Sequence, residues 1–288
     1  MGFRTIVVKS RSKLEYSLNY MICRNEEVKR VLIDEISVVI IQSTTVSLTA
    51  ALLSELIKHK VKVIFCDEKS NPLAELMPYA NSFASSARIK EQINWNPSLF
   101  GLAWQTITIE KIKNQAMVLG LFLHDDTKAM LLQYASEVTL GDATNREGHA
   151  AKVYFNSLFG KSFYRGDESN KYNAYLNYGY SIILSAINRE ITASGYLTQL
   201  GIHHIGETNP FNLGCDFMEP LRPLVDKLAL DKDTNEDNFK EVMSKILSLP
   251  CKYNEMETYM DNAIKLYVNN LLSFLSGRTD NISFIECL

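Results

Sequence analysis

Two acidic side chains and one histidine, far apart in the sequence, have the residue types of a divalent-cation site. Glu147 heads an apolar stripe at helical spacing, His204 ends a Gly-Ile-His-His run, and Glu219 precedes a proline. Acids are costly to bury in an apolar domain, and a divalent cation relieves their repulsion. Oxygen ligands with a single nitrogen suit Mg²⁺ or Mn²⁺ better than Zn²⁺. The three residues therefore predict metal-assisted phosphoryl chemistry without a protein nucleophile.

The same acids also have purely structural interpretations, which remain open at this point. Residues 144–147, Thr-Asn-Arg-Glu, fit a capping box, in which Glu147 would only satisfy a backbone N–H of the first helical turn. Pro220 suits the first position of a helix, which would place Asp216 and Glu219 at a helix N-terminus, where acids interact favourably with the helix dipole. Either interpretation explains an acid without catalysis.

Basic residues near these acids are candidates for contact with a phosphate backbone, although any one of them could simply belong to a solvated face. The candidates are Lys111, Lys113, Arg146, Lys161, Arg165 and Arg222. The tyrosines between residues 172 and 180 are more typical of a helical core than of a stacking platform for bases. The net charge of −3 decides little, because nucleic-acid binding depends on where the charges lie.

Other common sites are absent from the sequence. It has no G-x-S-x-G elbow, P-loop, G-x-G-x-x-G fingerprint or H-E-x-x-H motif. The five cysteines are odd in number and never form a C-x-x-C pair, which argues against a disulfide framework and against a zinc clip. No apolar run approaches the roughly 18 residues of a membrane span, and no signal peptide is evident. We therefore expect a cytoplasmic protein with no membrane partner.

The elements that must position the candidate residues divide into two parts. Short β-rich runs separated by polar breaks predict strands at 4–8, 13–20, 30–33, 36–42 and 61–65, with one helix over 48–57 capped by Ser47. Apolar residues at three- and four-residue spacing then predict helices at 102–123, 128–137, 147–159, 172–194, 221–230, 239–248 and 257–276. This predicts an α+β protein with a small β-rich N-terminal domain, residues 1–78, and a larger all-α C-terminal domain, residues 79–288.

In order and spacing, the motifs resemble those of the CRISPR-associated integrase family, the larger subunit of the spacer-acquisition machinery. Glu147-Gly-His-Ala-Ala-Lys-Val-Tyr-Phe155 resembles the family's Glu before Ala-Ala and Tyr-Phe. Gly201-Ile-His-His204 resembles its Gly-x-x-His, and Asp216-Phe-Met-Glu219-Pro-Leu-Arg-Pro resembles its Asp-Leu-Met-Glu-Pro-x-Arg-Pro. The resemblance covers nearly the whole chain, and Cys66-Asp-Glu-Lys69 is similar to the version that accompanies type II systems.

The resemblance implies a site in which Glu147, His204 and Glu219 hold Mg²⁺ or Mn²⁺, with Asp216 as an auxiliary acid and the role of His203 open. It implies that the N-terminal domain forms a homodimer and that two dimers join a small ferredoxin-like Cas partner in a heterohexamer. The implied activity is that of a DNA integrase and endonuclease, which joins the 3′-hydroxyl ends of a captured double-stranded DNA to a CRISPR repeat by transesterification. In type II systems, a ring-shaped DNA-end-binding protein and the effector nuclease are further expected partners.

Two other functions remain open from the residues alone. The capping-box interpretation and the net acidity are compatible with a non-catalytic dimeric scaffold for DNA or protein partners. The acid and histidine pattern is also compatible with a metal-dependent phosphodiesterase of small nucleotides.

Overall fold

The described residues of the N-terminal part form two four-stranded sheets and one α-helix. The computed structural model describes residues 3–68, 72–78 and 85–288. The strands are β1 (Arg4–Val8), β2 (Lys13–Ser17), β3 (Tyr20–Arg24), β4 (Val28–Leu32), β5 (Ile36–Ile41), β6 (Ser47–Leu48), β7 (Lys62–Cys66) and β8 (Pro72–Glu75), and the helix is α1 (Ala50–Lys58). One sheet has the order β1-β5-β7-β8, with the first three strands parallel, and the other has the order β4-β3-β2-β6.

Strand β5 explains how the first sheet joins the rest of the molecule. All six of its residues are buried, as expected for a strand covered on both faces. Alternate side chains point to opposite faces, so Val39 and Ile41 lie in the core of the N-terminal part, whereas Val38 and Ile40 lie in the core formed by the helices. The sheet therefore contributes to both cores.

The C-terminal part is largely helical. Its helices are α2 (Ser85–Ile93), α3 (Pro97–Leu121), α4 (Asp125–Ser136), α5 (Arg146–Phe159), α6 (Lys171–Ala193), α7 (Asn212–Met218), α8 (Arg222–Leu230), α9 (Phe239–Ser244) and α10 (Met260–Leu275). A small sheet of order β10-β9-β11 accompanies them, formed by β9 (Pro250–Tyr253), β10 (Met256–Tyr259) and β11 (Ile285–Glu286). The predicted fold class is confirmed, with this small sheet as an addition to a part expected to be all-α.

Helices α3 and α6 form the framework of the helical part. Asn96 caps α3 by accepting a hydrogen bond from Ser98 N (3.0 Å), and Pro97 occupies its first turn. Helix α6 is buried around most of its circumference, and Tyr175, Tyr178 and Tyr180 lie inside the protein, as the sequence predicted. Within the described ranges, no helix is both long enough and apolar enough to cross a membrane.

Some predicted boundaries differ from the structure. Helix α1 begins two residues later than predicted, because Thr49, and not Ser47, accepts the capping hydrogen bond, from Leu52 N (3.3 Å). Ser47 instead belongs to β6. The domain boundary predicted at 78/79 adjoins residues 79–84, which lie outside the described residues, so this boundary stays a prediction.

Candidate active site

A buried lysine joins two of the predicted site residues. Lys111 on α3 places its Nζ 2.6 Å from Oε1 of Glu147 on α5 and 2.5 Å from Oε2 of Glu219, which lies in the short 3₁₀ turn between α7 and α8. The Lys111 side chain is 9% exposed and that of Glu219 is 4% exposed. Burial alone would lower the pKa of Lys111, but Glu219 and Glu147 outweigh burial and raise it. The two acids therefore converge on one charged ammonium.

Glu147 is free to make this contact because other residues cap its helix. The first helical N–H groups donate to Asp142, with Arg146 N 2.8 Å from Oδ1 and Glu147 N 3.0 Å from Oδ2. Asn145, in the left-handed conformation, accepts from Gly148 N at 3.2 Å. The predicted capping box, with Thr144 as the cap and Glu147 as its partner, is therefore wrong, and the Glu147 carboxylate faces Lys111 instead.

Glu219 begins the short 3₁₀ helix Glu219–Leu221, which joins α7 to α8 and has Pro220 in its first turn, as the sequence predicted. The predicted place of Asp216 at a helix N-terminus is wrong, because Asp216 lies in the last turn of α7, which ends at Met218. Arg222 donates from Nε to Glu219 Oε1 at 2.8 Å. Burial opposes ionisation of Glu219, but Arg222 and Lys111 outweigh burial and lower its pKa to about 2. Glu219 is therefore ionised at neutral pH.

Asp216 holds the loop that carries His204. It is fully buried and accepts backbone hydrogen bonds from Ile202 N (2.7 Å), His203 N (3.1 Å) and His204 N (3.0 Å). Its Oδ1 also lies 2.6 Å from His204 Nδ1. This hydrogen bond outweighs burial and raises the pKa of His204. With the Nδ1 proton directed at a carboxylate, Nε2 is the ring nitrogen left to face a ligand.

His203 has a packing role that the sequence left open. Its ring stacks on Trp104 of α3, with centroids 3.8 Å apart and planes 4° apart. It lies nearly perpendicular to the His204 ring, at 5.7 Å. Trp104 is 1% exposed, so the loop rests on a rigid part of the core. His203 and His204 therefore face differently, with His204 directed to Asp216 and His203 to Trp104.

The donor chemistry of the site fits a hard divalent cation. Glu219 Oε2 is buried and has no partner with hydrogen-bond geometry, so its contact with Lys111 is ionic only. Two carboxylates and an imidazole whose other nitrogen bonds a carboxylate are typical ligands of Mg²⁺ or Mn²⁺. Within residues 3–68, 72–78 and 85–288, however, no three such side chains form a ready-made metal cluster. Lys111 lies between the two acids in this arrangement.

The six cations predicted to contact DNA are in different surroundings. Lys111 and Arg222 are part of the acid cluster. Arg146 pairs with Glu137 at 2.7 Å, and Arg165 donates to the side chains of Asn173 and Asn177. Lys113 and Lys161 are exposed. Contact with DNA stays a prediction for all six, and Lys113 and Lys161 are the two that solvent reaches most freely.

Sequence reasoning missed two residues that shape the site. Trp104 supports His203, and Asn114 donates from Nδ2 to Pro220 O (2.9 Å), which fixes the turn that carries Glu219. Both lie on α3 at helical spacing from Lys111, seven residues before it and three after it. This helical spacing from Lys111 was the signal in the sequence that could have identified Trp104 and Asn114.

Comparison with known proteins identifies the family. A sequence profile described as "CRISPR associated protein Cas1" matches residues 6–247, and the chain belongs to this family. The CRISPR-associated endonuclease Cas1 of Neisseria meningitidis serogroup C (strain 8013) is 39% identical over 227 residues, which cover 78% of this chain and 74% of that protein.

Solved structures show the same fold. The chain superposes on a casposase bound to integration product with a TM-score of 0.77 and 18% identity, covering 98% of this chain and 92% of that one. A Cas6-RT-Cas1–Cas2 complex gives a TM-score of 0.74 and 16% identity, with 96% of this chain and 35% of that chain covered.

Proposed function

We propose that the chain is a metal-dependent DNA integrase and endonuclease, which inserts captured DNA into a CRISPR array as new spacers by transesterification. The observation that carries the proposal is the convergence of Glu147 and Glu219 on one ammonium. Asp216 holds His204 within the electrostatic influence of both acids. Membership of the Cas1 family, an endonuclease relative at 39% identity and the fold shared with a casposase support the same activity.

The residues that would hold Mg²⁺ or Mn²⁺ are Glu147, His204 and Glu219. Bound there, the ion would polarise a phosphate oxygen and neutralise charge that develops during strand transfer. With its proton on Nδ1, His204 would donate to Asp216, and the lone pair of Nε2 would be available to the ion. Arg222 holds Glu219 through Oε1, and Oε2, which Lys111 contacts in this structure, would be the oxygen available to the ion.

The nucleophile in this proposal is the 3′-hydroxyl of the captured DNA, so the protein needs to position and not to attack. Lys113 and Lys161 are exposed and would contact phosphates, which would align the hydroxyl with the target phosphodiester. DNA binding should weaken with salt in proportion to the phosphates contacted.

The proposed partners follow from the family. A homodimer through the β-rich N-terminal part, a heterohexamer with a small ferredoxin-like Cas subunit, and double-stranded DNA are expected. The fold shared with a chain of a Cas6-RT-Cas1–Cas2 complex supports the second of these. The Neisseria relative makes a type II system plausible, in which the DNA-end-binding ring protein and the effector nuclease would join in the cytoplasm.

The experiment that tests the activity uses the purified chain, its small Cas partner, a CRISPR-repeat plasmid, a labelled duplex and Mn²⁺. We expect label to become covalently attached at the repeat boundaries. Glu147→Gln, His204→Ala and Glu219→Gln should each abolish joining, whereas Glu257→Gln, an exposed acid on β10, should not change it. Full joining by the first three variants would overturn the proposal.

The pairing of both acids with Lys111 and Arg222 favours a non-catalytic scaffold. A scaffold would bind its partners normally and would show no heat of Mn²⁺ binding in calorimetry. A phosphodiesterase of small nucleotides would instead hydrolyse a cyclic dinucleotide faster than it processes branched DNA.

A further inference from the structure

The charges of the acid cluster already balance without a metal ion. Glu147 and Glu219 supply two negative charges, and Lys111 and Arg222 supply two positive charges that contact them. A divalent cation added to these four partly buried side chains would bring two positive charges that they do not compensate, which is unfavourable where water is partly excluded. Tight binding of the ion therefore requires that one of the two resident cations leaves.

Arg222 is held in a way that does not compete with a metal ion. It bonds Oε1 of Glu219, and its guanidinium lies 4.6 Å from the centre of the Tyr180 ring. A cation over a tyrosine ring gains further attraction, and the planar group is fixed by both contacts. Arg222 therefore keeps its bond to Glu219 Oε1 when Glu219 Oε2 exchanges Lys111 for the ion.

Lys111 occupies the position that a bridging ion would need. Its Nζ contacts one oxygen of each carboxylate, and the contact with Glu219 Oε2 lacks hydrogen-bond geometry. An ammonium on a four-carbon stem is a compact, mobile point charge, which can leave by rotation of its own side chain. The Glu147 side chain is 23% exposed, so the ammonium lies close to solvent on the side of this acid.

We infer that Lys111 competes with the divalent cation for the two acids. In the metal-free protein Lys111 pairs with Glu147 and Glu219 and, together with Arg222, balances their charge, and the ion displaces it toward a DNA phosphate. The inference rests on the proposed function and deepens it. After the exchange, the ion, the two acids and Arg222 carry one net positive charge, which a phosphate can neutralise. Metal and DNA should therefore increase each other's affinity, and the two effects must be equal.

The first test uses the unaltered chain and measures acetylation of lysines by mass spectrometry. Without metal, Lys111 should react at least about tenfold more slowly than Lys113, because its ammonium is buried and ion-paired. Saturating Mn²⁺ should raise the rate at Lys111 several-fold and leave Lys113 unchanged. An unchanged rate at Lys111, at a Mn²⁺ concentration that calorimetry shows to saturate the site, would overturn the inference.

The second test is Mn²⁺ calorimetry on Lys111→Met, which keeps most of the apolar stem and removes the charge. The variant should bind Mn²⁺ at least about tenfold more tightly, because no ammonium must be displaced. It should also melt at a lower temperature than the unaltered chain without metal and gain more from Mn²⁺. Lys152→Met, a change of an exposed lysine on α5, is the matched control, with unchanged Mn²⁺ affinity.

The outcomes separate the inference from the proposed function. Equal or weaker Mn²⁺ binding by Lys111→Met would overturn the inference, while leaving metal-dependent integration intact. No Mn²⁺ binding by either the unaltered chain or Lys111→Met would overturn both.

Discussion

Tyr154 on α5 donates a hydrogen bond from its hydroxyl to Oδ2 of Asp226 on α8, over 2.9 Å. The hydroxyl of Tyr180 on α6 donates to the other carboxylate oxygen. Both tyrosines and Asp226 are buried, so one carboxylate ties together three helices that surround the candidate site.

Removal of one of these hydroxyls should destabilise the protein. Tyr154→Phe leaves the buried carboxylate with one donor fewer, which should lower the free energy of unfolding by about 1.5–3 kcal/mol. Urea denaturation followed by circular dichroism measures the loss. Tyr164→Phe, whose side chain is exposed, should stay within about 0.5 kcal/mol of the unaltered chain. Equal effects of the two changes would show that the hydrogen bond contributes nothing.

Asp226 should make stability depend on pH. Burial raises the pKa of the Asp226 carboxyl to about 6, because it outweighs the hydrogen bonds from Tyr180 and Tyr154, which lower this pKa. The folded protein therefore holds a proton here that the unfolded chain releases near pH 4. The contribution is fully present below about pH 4 and is lost as pH rises through about 6, by up to about 3 kcal/mol.

The contribution of Asp226 is isolated by comparison with Asp226→Asn. Urea denaturation at pH values between 4 and 8 should show the unaltered chain losing stability relative to this variant as pH rises, with a constant difference above pH 7. A difference that does not change with pH would contradict the shifted pKa.

Asp216→Asn should weaken metal binding and not merely the fold. The amide group cannot accept all the N–H groups that Asp216 holds, and it no longer fixes the proton of His204 on Nδ1. Loss of such a partner to a metal-binding histidine typically weakens metal affinity about 10–100-fold, which Mn²⁺ calorimetry would measure. Glu207→Gln, an exposed change in the same loop, is the control, and equal affinities for both variants would contradict the expectation.

Gly201→Ala should disturb the His204 loop by direct collision. A methyl group at this position would lie 2.2 Å from the carbonyl oxygen of His204 and 2.8 Å from Asp216 Oδ2. Overpacking of this kind should lower the free energy of unfolding by about 1–3 kcal/mol. Gly206→Ala meets its nearest atom at 3.4 Å and should change stability by less than about 0.5 kcal/mol. Thermal unfolding of the two variants provides the comparison, and equal melting temperatures would show that the loop adapts freely.

The ring of His203 should matter for stability more than its nitrogens do. His203→Ala removes the stack on Trp104, worth about 0.5–1.5 kcal/mol for an aromatic pair, whereas His203→Phe keeps it. Chemical denaturation should therefore rank His203→Phe close to the unaltered chain and His203→Ala below it. If both variants lost the same stability, the polar atoms and not the stack would hold the loop.

The candidate acids could be selected from the sequence because unpaired carboxylates in an apolar setting are chemically unusual. The role of Lys111 could not be predicted from the sequence. It depends on how α3 packs against α5, and Glu147 lies 36 positions away in the sequence. Local patterns suggested an exposed phosphate contact for Lys111. The structure instead places it between the acids.

Secondary structure was missed where tertiary contacts override local preference. Helix α7 contains Gly214, which weakens a helical pattern, yet a methyl group there would lie 2.0 Å from Asn188 Oδ1, so glycine permits close contact with α6. Strand β11 has only two residues and pairs with β9, more than thirty positions earlier. A pairing over that separation leaves no periodic signal in so short a segment.

The division of β5 side chains between two cores has a thermodynamic consequence. Val38 and Ile40 complete the core of the helical part. Removal of the β-rich residues would therefore expose an apolar surface on the helical part. Heating the intact chain should accordingly melt both parts in one transition, and the helices expressed alone should aggregate.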